Sequence, residues 1–265
     1  MQKKDVSILD RPEILSILFH PRPEPAGGAP EGAEDIDVQA PGGTKLGCRF
    51  YTASAELPHI LFFHGNGEIA ADYDALGPVY REYGINFLVA DYRGYGRSTG
   101  SPTVAAMLSD SHPVLDAVID WMKQNSRTGP LWVMGRSLGS APALELASSR
   151  SNDICGLIIE SGFAGTVSLL RHLGINTEWL GIKEASVFSN ADRIAGYKGP
   201  TLIIHAQNDH IIPKEHAETL YQSSPSPARE MEIVAGADHN NIMIVAGRDY
   251  FRWIMDFISR HSKYS

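Results

Sequence analysis

A serine between two glycines is the first feature of this sequence that could do chemistry. Gly135-Arg136-Ser137-Leu138-Gly139 fits the G-x-S-x-G pattern, in which a serine lies on a sharp turn from a strand to a helix. Leu131-Trp132-Val133-Met134 before it is typical of a strand, and the Ala- and Leu-rich stretch 140–147 after it is typical of a helix. The pattern predicts a projecting Ser137 hydroxyl at a helix N-terminus, which favours developing negative charge. The structural alternative is a plain glycine-rich turn.

A glycine-rich loop at His64-Gly65-Asn66-Gly67 supplies candidates for a second requirement of acyl transfer. That reaction needs two backbone N–H groups directed at the oxyanion, and glycines let a backbone approach closely. The amides of Asn66 and Leu138 are the candidates. His64 ends a strand-like apolar run, so we expect it to hold the loop by hydrogen bonds and not to act as a base.

Two more polar segments follow strand-like runs near the end of the chain. Asp209 follows the apolar run 201–204, and His239 follows the last strand-like run. A carboxylate at one strand end can orient and charge-balance an imidazole. The order Ser137, Asp209, His239 is the one expected of α/β-hydrolases, and it differs from that of chymotrypsin-type and subtilisin-type enzymes. Asp238, beside His239, is a second aspartate that could take the place of the acid.

These segments need a sheet that brings their ends together, and the sequence from residue 35 onward predicts one. Apolar runs such as Ile60-Leu61-Phe62-Phe63 are typical of strands buried on both faces. The strand-like runs are Ile36–Ala40, Leu46–Tyr51, His59–Phe63, Asn86–Tyr92, Leu131–Met134, Ile154–Glu160, Thr201–His205 and Glu230–Val234. The predicted fold class is α/β: a doubly wound, mostly parallel eight-stranded sheet flanked by helices, with the first two strands as an antiparallel edge. Ligands of such sheets bind at the carboxyl ends of the strands, where the candidate residues lie.

Residues 1–34 are predicted to form an N-terminal helix and connector ahead of the main domain at 35–265. Asp10-Arg11-Pro12-Glu13 is typical of a helix start, with Asp10 as the capping residue and proline in the first turn. The apolar residues of this helix either pack against the main core or make peripheral contact with a membrane. The stretch 21–32 is dense in Pro, Gly and Ala and indicates an extended connector.

The interval 161–199 is predicted to be a minimal lid. It has only 39 residues, part of which must return the chain to the next strand, so a separate cap domain is not expected. The sequence predicts short helices at 166–173 and 177–182. The apolar side chains of the lid either line an acyl or aromatic pocket or pack down on the core. The candidate substrate-binding residues are Phe163, Leu169, Leu170 and Trp179.

Composition excludes several classes of protein. The 265 residues carry a formal net charge of −8, which argues against nucleic acid as a partner, because a phosphate backbone attracts a basic face. The two cysteines cannot build a disulfide framework. No apolar run approaches the ~18 residues of a membrane span, and the first ten residues are not typical of a signal peptide, so we expect a cytoplasmic protein. Neither metal-ligand spacing nor a nucleotide-binding loop occurs, so no metal or cofactor is expected.

Taken in their order along the chain, these motifs resemble the α/β-hydrolase superfamily, and within it the branch of Bem46-like proteins and acyl-protein depalmitoylases. The matching residues are Leu18-Phe19-His20-Pro21, Phe63-His64-Gly65-Asn66, Asp91-Tyr92-Arg93-Gly94-Tyr95-Gly96-Arg97-Ser98, Gly135-Arg136-Ser137-Leu138-Gly139, Phe188-Ser189-Asn190, Pro200-Thr201-Leu202-Ile203-Ile204-His205, Asp209 and His239-Asn240. The resemblance implies that Ser137 is the nucleophile, Asp209 the acid and His239 the base. It also implies an oxyanion hole formed by the amides of Asn66 and Leu138.

Two positions depart from the pattern of that family. Ala206 stands where a glycine is usual after the strand-end histidine, which is a small change. Asp238 stands where a glycine usually precedes the catalytic histidine, and its carboxylate could compete with Asp209 for the imidazole.

The leading hypothesis is hydrolysis of a carboxylic ester or thioester, of a small molecule or an acylated partner, through an acyl-Ser137 intermediate. A serine peptidase of the aminopeptidase type is the first alternative, since the same groups attack amides. It would need a carboxylate to bind a free α-amine, and Glu160, Glu184 and Asp238 are the candidates. A non-catalytic binding protein on the same fold is the alternative from another class.

Overall fold

A single sheet organises the computed structural model, which describes residues 6–262. Its strands are β1 (Ala33–Ala40), β2 (Thr44–Tyr51), β3 (His59–Phe63), β4 (Asn86–Ala90), β5 (Leu131–Arg136), β6 (Gly156–Glu160), β7 (Thr201–Ala206) and β8 (Arg229–Val234). The spatial order is β1-β2-β4-β3-β5-β6-β7-β8. The pairs β1–β2 and β2–β4 are antiparallel, and the pairs from β4 through β8 are parallel. The predicted eight-stranded, mostly parallel sheet with an antiparallel edge is confirmed.

Helices cover both faces of this sheet. They are α1 (Pro12–Leu18), α2 (Gly77–Glu82), α3 (Val104–Gln124), α4 (Ser140–Ser149), α5 (Thr166–His172), α6 (Asn190–Ala195), α7 (Glu215–Ser223), α8 (Ile242–Ala246) and α9 (Arg248–His261). Short 3₁₀ helices lie at Ser7–Asp10, Ala70–Tyr73, Ser137–Gly139 and Glu184–Ser186. Within residues 6–262, no helix combines the length and the apolar character that crossing a membrane requires.

The period of two along a strand explains why the central strands are largely apolar. On β3, Leu61 and Phe63 belong to the core that holds α1 and α3 to α7, whereas Ile60 and Phe62 belong to the core on the opposite face, with α2, α8 and α9. Because successive side chains point to opposite faces, a strand covered on both sides buries every side chain and is mostly apolar. All five residues of β3 are buried as a result.

The N-terminal segment packs differently from what its cap signal predicts. Arg11, not Asp10, is the N-cap residue of α1, and no side chain caps that helix. The Asp10 carboxylate instead accepts hydrogen bonds from the N–H groups of Val104 (2.7 Å) and Ala105 (3.3 Å) at the start of α3. The Asp10 carboxylate bonds α3 and not α1 because a short side chain satisfies whichever unpaired helix amides lie nearest in space. Here those amides belong to another helix.

The interval 161–199 holds α5, one 3₁₀ turn and α6. Residues 177–180 form turns, so the second helix predicted in this interval is absent from the structure. Gly165 and Ser189 form an isolated antiparallel bridge, which ties the two ends of the lid together. Apolar residues of this interval, among them Leu170 and Ile194, belong to the core that holds α3 and α4.

Candidate active site

Ser137 lies on a tight turn between β5 and α4. Its φ of 53° is in the left-handed region, which costs a residue with a side chain on the order of 1–3 kcal/mol. Two glycines make the turn possible. A Cβ on Gly135 would lie 2.2 Å from the carbonyl oxygen of Gly139, and one on Gly139 would lie 2.0 Å from that of Phe63. The backbone of β5 can therefore turn sharply into the helix only with glycine at both positions.

The structure brings Ser137, His239 and Asp209 together from three separate loops. His239 Nε2 lies 3.0 Å from Ser137 Oγ, and His239 Nδ1 lies 2.7 Å from Asp209 Oδ2. A carboxylate can only accept, so Nδ1 carries the hydrogen and Nε2 is left free to accept the Ser137 hydroxyl. All three side chains are buried, with Ser137 8% exposed. This arrangement allows a proton to pass from the serine to the imidazole.

Asp209 is held in place by its own loop as well as by His239. Its Oδ1 accepts hydrogen bonds from the N–H groups of Ile211 (2.9 Å) and Ile212 (2.7 Å). Burial favours the neutral acid, but the hydrogen bond and charge of His239 and the Ile212 amide outweigh it, so the pKa of Asp209 lies below its usual value. Asp209 is therefore ionised at neutral pH and can balance a protonated imidazole.

Asp238, the second candidate for the acid, lies elsewhere in the loop. Its carboxylate accepts hydrogen bonds from Asn240 N (2.9 Å) and Asn241 Nδ2 (2.8 Å), and its side chain is exposed. These bonds stabilise the turn that presents His239 to the serine. The imidazole is bonded by Asp209 and not by its neighbour in sequence.

Two backbone amides of the predicted kind lie at loop and helix starts. Leu138 occupies the second position of the 3₁₀ helix at Ser137–Gly139, where an N–H group has no acceptor within the helix. The backbone N–H of Asn66 makes no hydrogen bond with any residue in 6–262. The Asn66 side chain is anchored, because its Oδ1 accepts from Tyr95 Oη (2.8 Å) and from the backbone N–H of His20 (2.8 Å).

His64 faces the inside of the protein. Its Nδ1 lies 2.8 Å from the carbonyl oxygen of Gly65, and its Nε2 lies 3.2 Å from Asp91 Oδ1 without the geometry of a hydrogen bond. The hydroxyl of Tyr92 donates to the His64 carbonyl oxygen at 2.6 Å. Through these contacts His64 packs at the end of β3 and supports the loop that carries Asn66.

A buried ion-pair network adjoins His239, and no motif in the sequence pointed to it. Arg136 Nη2 donates to the backbone carbonyl oxygen of His239 at 2.8 Å. Its Nε donates to Glu160 Oε1 at 3.2 Å, and its Nη1 pairs with Glu68. Arg136 is only 8% exposed and Glu160 only 2%, so the bond between them forms away from bulk water. A charged residue inside the otherwise apolar strand β5 was the one available signal.

The two carboxylates extend that network to other elements. Glu68 Oε2 accepts from the backbone N–H of Gly65 (2.7 Å) and from Tyr73 Oη (2.8 Å). Glu160 Oε2 accepts from Tyr250 Oη (2.5 Å) on α9. Burial raises the pKa of Glu160, and the charge of Arg136 opposes that rise. Arg136 therefore connects the loop of Asn66, the loop of His239 and the end of β6.

The candidate substrate-binding residues divide into two groups. Phe163, Leu169 and Leu170 are buried and line an apolar crevice that Leu138 also lines. Trp179 does not lie in the crevice: its side chain is 81% exposed, so its predicted place in a pocket was wrong. The reason is local, because the turns at 177–180 direct the neighbouring Leu180 into the core instead.

Comparison with known proteins gives relatives that span most of the chain. Residues 56–180 match the family model described as serine aminopeptidase, S33. The uncharacterized protein YfhR of Escherichia coli K12 is 27% identical over 253 residues, covering 92% of this chain and 87% of its own. Human alpha/beta hydrolase domain-containing protein 17B is 26% identical over 230 residues, covering 82% of this chain and 72% of its own.

One relative with a named activity and one solved structure add to this. Lysophosphatidylserine lipase ABHD12 of Xenopus tropicalis is 30% identical over 195 residues, which are 67% of this chain and 49% of that protein. The Pyrococcus furiosus esterase Pf2001 superposes with a TM-score of 0.72 at 20% identity, covering 91% of this chain and 99% of that one. Fold, motif order and relatives agree: the chain belongs to the α/β-hydrolase superfamily.

Proposed function

We propose that this protein is a serine hydrolase that cleaves carboxylic esters or thioesters through an acyl-serine intermediate. The observation that carries the proposal is the continuous line of contacts from Ser137 Oγ to His239 Nε2 (3.0 Å) and from His239 Nδ1 to Asp209 Oδ2 (2.7 Å). Both distances are within the range for proton transfer and for orientation of the base. A chain that only bound ligands would have no need of this alignment.

In the proposed reaction, Ser137 Oγ attacks the carbonyl carbon while His239 Nε2 takes the serine proton. The negative charge that develops on the carbonyl oxygen is stabilised by the backbone N–H groups of Asn66 and Leu138. His239 then gives its proton to the leaving oxygen or sulfur, and the bond to the leaving group breaks. Water, activated by His239, hydrolyses the acyl-serine in the second half of the reaction. Asp209 remains ionised throughout and stabilises the imidazolium.

The aminopeptidase alternative needs a free carboxylate near Ser137, and two of the three candidates are bonded to other groups. Glu160 is buried and bonded to Arg136 and Tyr250. Asp238 is bonded within its own loop, and Glu184 is exposed on the 3₁₀ turn of the lid. Two of the three candidate carboxylates are therefore not free to bind an α-amine, and this supports esters and thioesters over peptides.

A fluorophosphonate probe followed by a substrate panel tests the proposal. The probe should label the wild type and Ser148→Ala, whose serine lies on the exposed side of α4, but not Ser137→Ala. The panel compares p-nitrophenyl esters, acyl-thioesters and aminoacyl anilides. Absence of labelling in a folded wild type would indicate the binding-protein alternative. Faster turnover of anilides than of esters would indicate the peptidase.

A further inference from the structure

The N-terminal segment, residues 6–20, lies along the candidate active site, and no motif assigned it a part in the chemistry. We propose that Leu9 and Leu18 of this segment form the outer wall of an acyl-binding subsite and limit the length of the acyl chain that the enzyme accepts. The inference rests on the proposed function and deepens it, because it gives the acyl group of the substrate a defined place.

The crevice that Leu138 lines has the chemistry of an acyl subsite. Leu138 directly follows Ser137 in the chain, and Leu9 and Leu18 of the N-terminal segment line the same crevice. Val104 and Met107 of α3 also line it. The one polar residue in the lining, Thr166, turns its hydroxyl away and donates it to the Phe188 carbonyl oxygen at 2.6 Å. The crevice thus offers only apolar surface, which suits a hydrocarbon chain.

Hydrogen bonds hold this wall to the parts of the site that would do the chemistry. The backbone N–H of His20, two residues after Leu18, donates to Asn66 Oδ1 at 2.8 Å, and His20 Nδ1 lies 2.8 Å from Asn66 Nδ2. Asp10, next to Leu9, caps α3, which carries Val104. Because both ends of the segment are attached, Leu9 and Leu18 have fixed positions relative to the oxyanion loop and the crevice.

A third attachment joins the same segment to the interval 161–199. Arg11 Nη1 donates to the Leu180 carbonyl oxygen at 3.2 Å. The segment therefore bridges the oxyanion loop on one side and the interval 161–199 on the other.

The free volume of the crevice determines what it accepts. It is about 10 Å³, enough for about one water molecule. That space is close to the size of one methyl group, so each further carbon of an acyl chain must displace a leucine side chain. Shortening Leu9 or Leu18 removes carbons from the wall and leaves space for carbons of the substrate.

The test compares acyl-length profiles of p-nitrophenyl esters from acetate to decanoate for Leu9→Ala, Leu18→Ala and Leu15→Ala. Leu15 is a half-buried leucine on the same helix that does not line the crevice, so it is the matched control. Each covered methylene is worth about fourfold in affinity. We therefore expect the optimum of both wall variants to move about two carbons longer, with the octanoate-to-acetate ratio of kcat/KM about tenfold above that of the wild type. Leu15→Ala should keep the wild-type profile.

An unchanged profile in active, folded Leu9→Ala and Leu18→Ala would overturn the inference, and so would an equal loss at every chain length. If circular dichroism shows that Leu18→Ala does not fold, Leu18→Val provides the milder change and should move the optimum by about one carbon. Failure of the proposed function looks different: the wild type would hydrolyse no ester and would not react with fluorophosphonate.

Discussion

At the scale of single residues, two aspartates lie near the imidazole of His239, and mutation of each shows which one acts as the acid. We expect Asp209→Asn to lower kcat by roughly 10⁴, because an amide favours the wrong tautomer of His239 and removes the counter-charge. Asp238→Asn should cost less than about tenfold, since its carboxylate bonds only Asn240 and Asn241. Steady-state kinetics of the two variants on one ester gives the comparison. The reverse order would show that the acid has been assigned wrongly.

The ionisation of Asp209 also predicts how stability depends on pH. Its pKa is lower in the folded protein than in the unfolded chain, where it is near 3.9. The contribution of this group to the free energy of unfolding is therefore complete above about pH 5 and is lost as the pH falls through the folded-state pKa. Urea unfolding should show a loss of stability in Asp209→Asn that is larger at pH 7 than at pH 3. A difference that does not change with pH would contradict this.

Single residues also show where the sequence was informative. Ser137, Asp209 and His239 each follow a strand of the same sheet, so their meeting could be predicted from strand ends alone. Trp179 could not be placed in this way. Hydrophobicity does not determine which of Trp179 and Leu180 faces the core, because the turns at 177–180 decide it and have no clear periodicity.

At the scale of elements, the turn between β5 and α4 depends on backbone contact. We expect Gly135→Ala to lower the free energy of unfolding by about 4 kcal/mol or more, because its Cβ would meet backbone atoms of Gly139 that cannot move independently. Gly196→Ala is the control, since its nearest neighbour would lie at 3.3 Å and its φ is −86°. Chemical denaturation measures both. Similar stabilities for the two variants would mean that the turn is less constrained than the structure indicates.

Arg136 acts between elements, and its effect should be on rate. Lysine keeps the charge but cannot bond the His239 carbonyl, Glu68 and Glu160 together. We expect Arg136→Lys to lower kcat by about 10- to 100-fold with little change in KM, because small displacements of the base are costly. Arg93→Lys is the control, since Arg93 makes a comparable pair of bonds to Asp110 elsewhere. An unchanged kcat would restrict Arg136 to a structural role.

Hydrogen-bond partners that lie far apart in the chain cannot be identified from local sequence patterns. Asp10 caps a helix that begins at Val104, and the hydrogen bond spans 94 positions of the chain. Local patterns assigned Asp10 to the helix next to it, because they carry no information about which distant amide lies closer. The same limit applies to Arg136, whose motif described the serine beside it but not the carboxylates around it.

For the molecule as a whole, the hydrophobic pattern was sufficient to predict the architecture. Runs of about five residues that are apolar throughout are typical of strands covered on both faces, and helices between them favour parallel pairing. The depth of the candidate active site could not be predicted in the same way. It depends on how the lid and the N-terminal segment pack over β5, and those packings involve residues far apart in the chain.

The whole-molecule prediction therefore concerns substrate size. The lid at 161–199 is small and the crevice holds about 10 Å³, so only the first carbons of an acyl chain can be covered. Each covered methylene contributes about 0.8 kcal/mol, and an uncovered one contributes little. We expect kcat/KM on p-nitrophenyl esters to rise over the first few carbons and then to level off or fall at medium length.

The leaving-group side should be far more tolerant than the acyl side, because within residues 6–262 the segment between β6 and β7 is short and forms no separate cap domain. Short-chain acyl groups on a bulky alcohol or thiol should be cleaved at rates close to those of the p-nitrophenyl esters. The measurement pairs one acyl group with leaving groups of increasing size, in solutions where every substrate is monomeric. A steady rise of kcat/KM through to palmitoyl esters, or a sharp loss with large leaving groups, would indicate a deep tunnel in place of a shallow cleft.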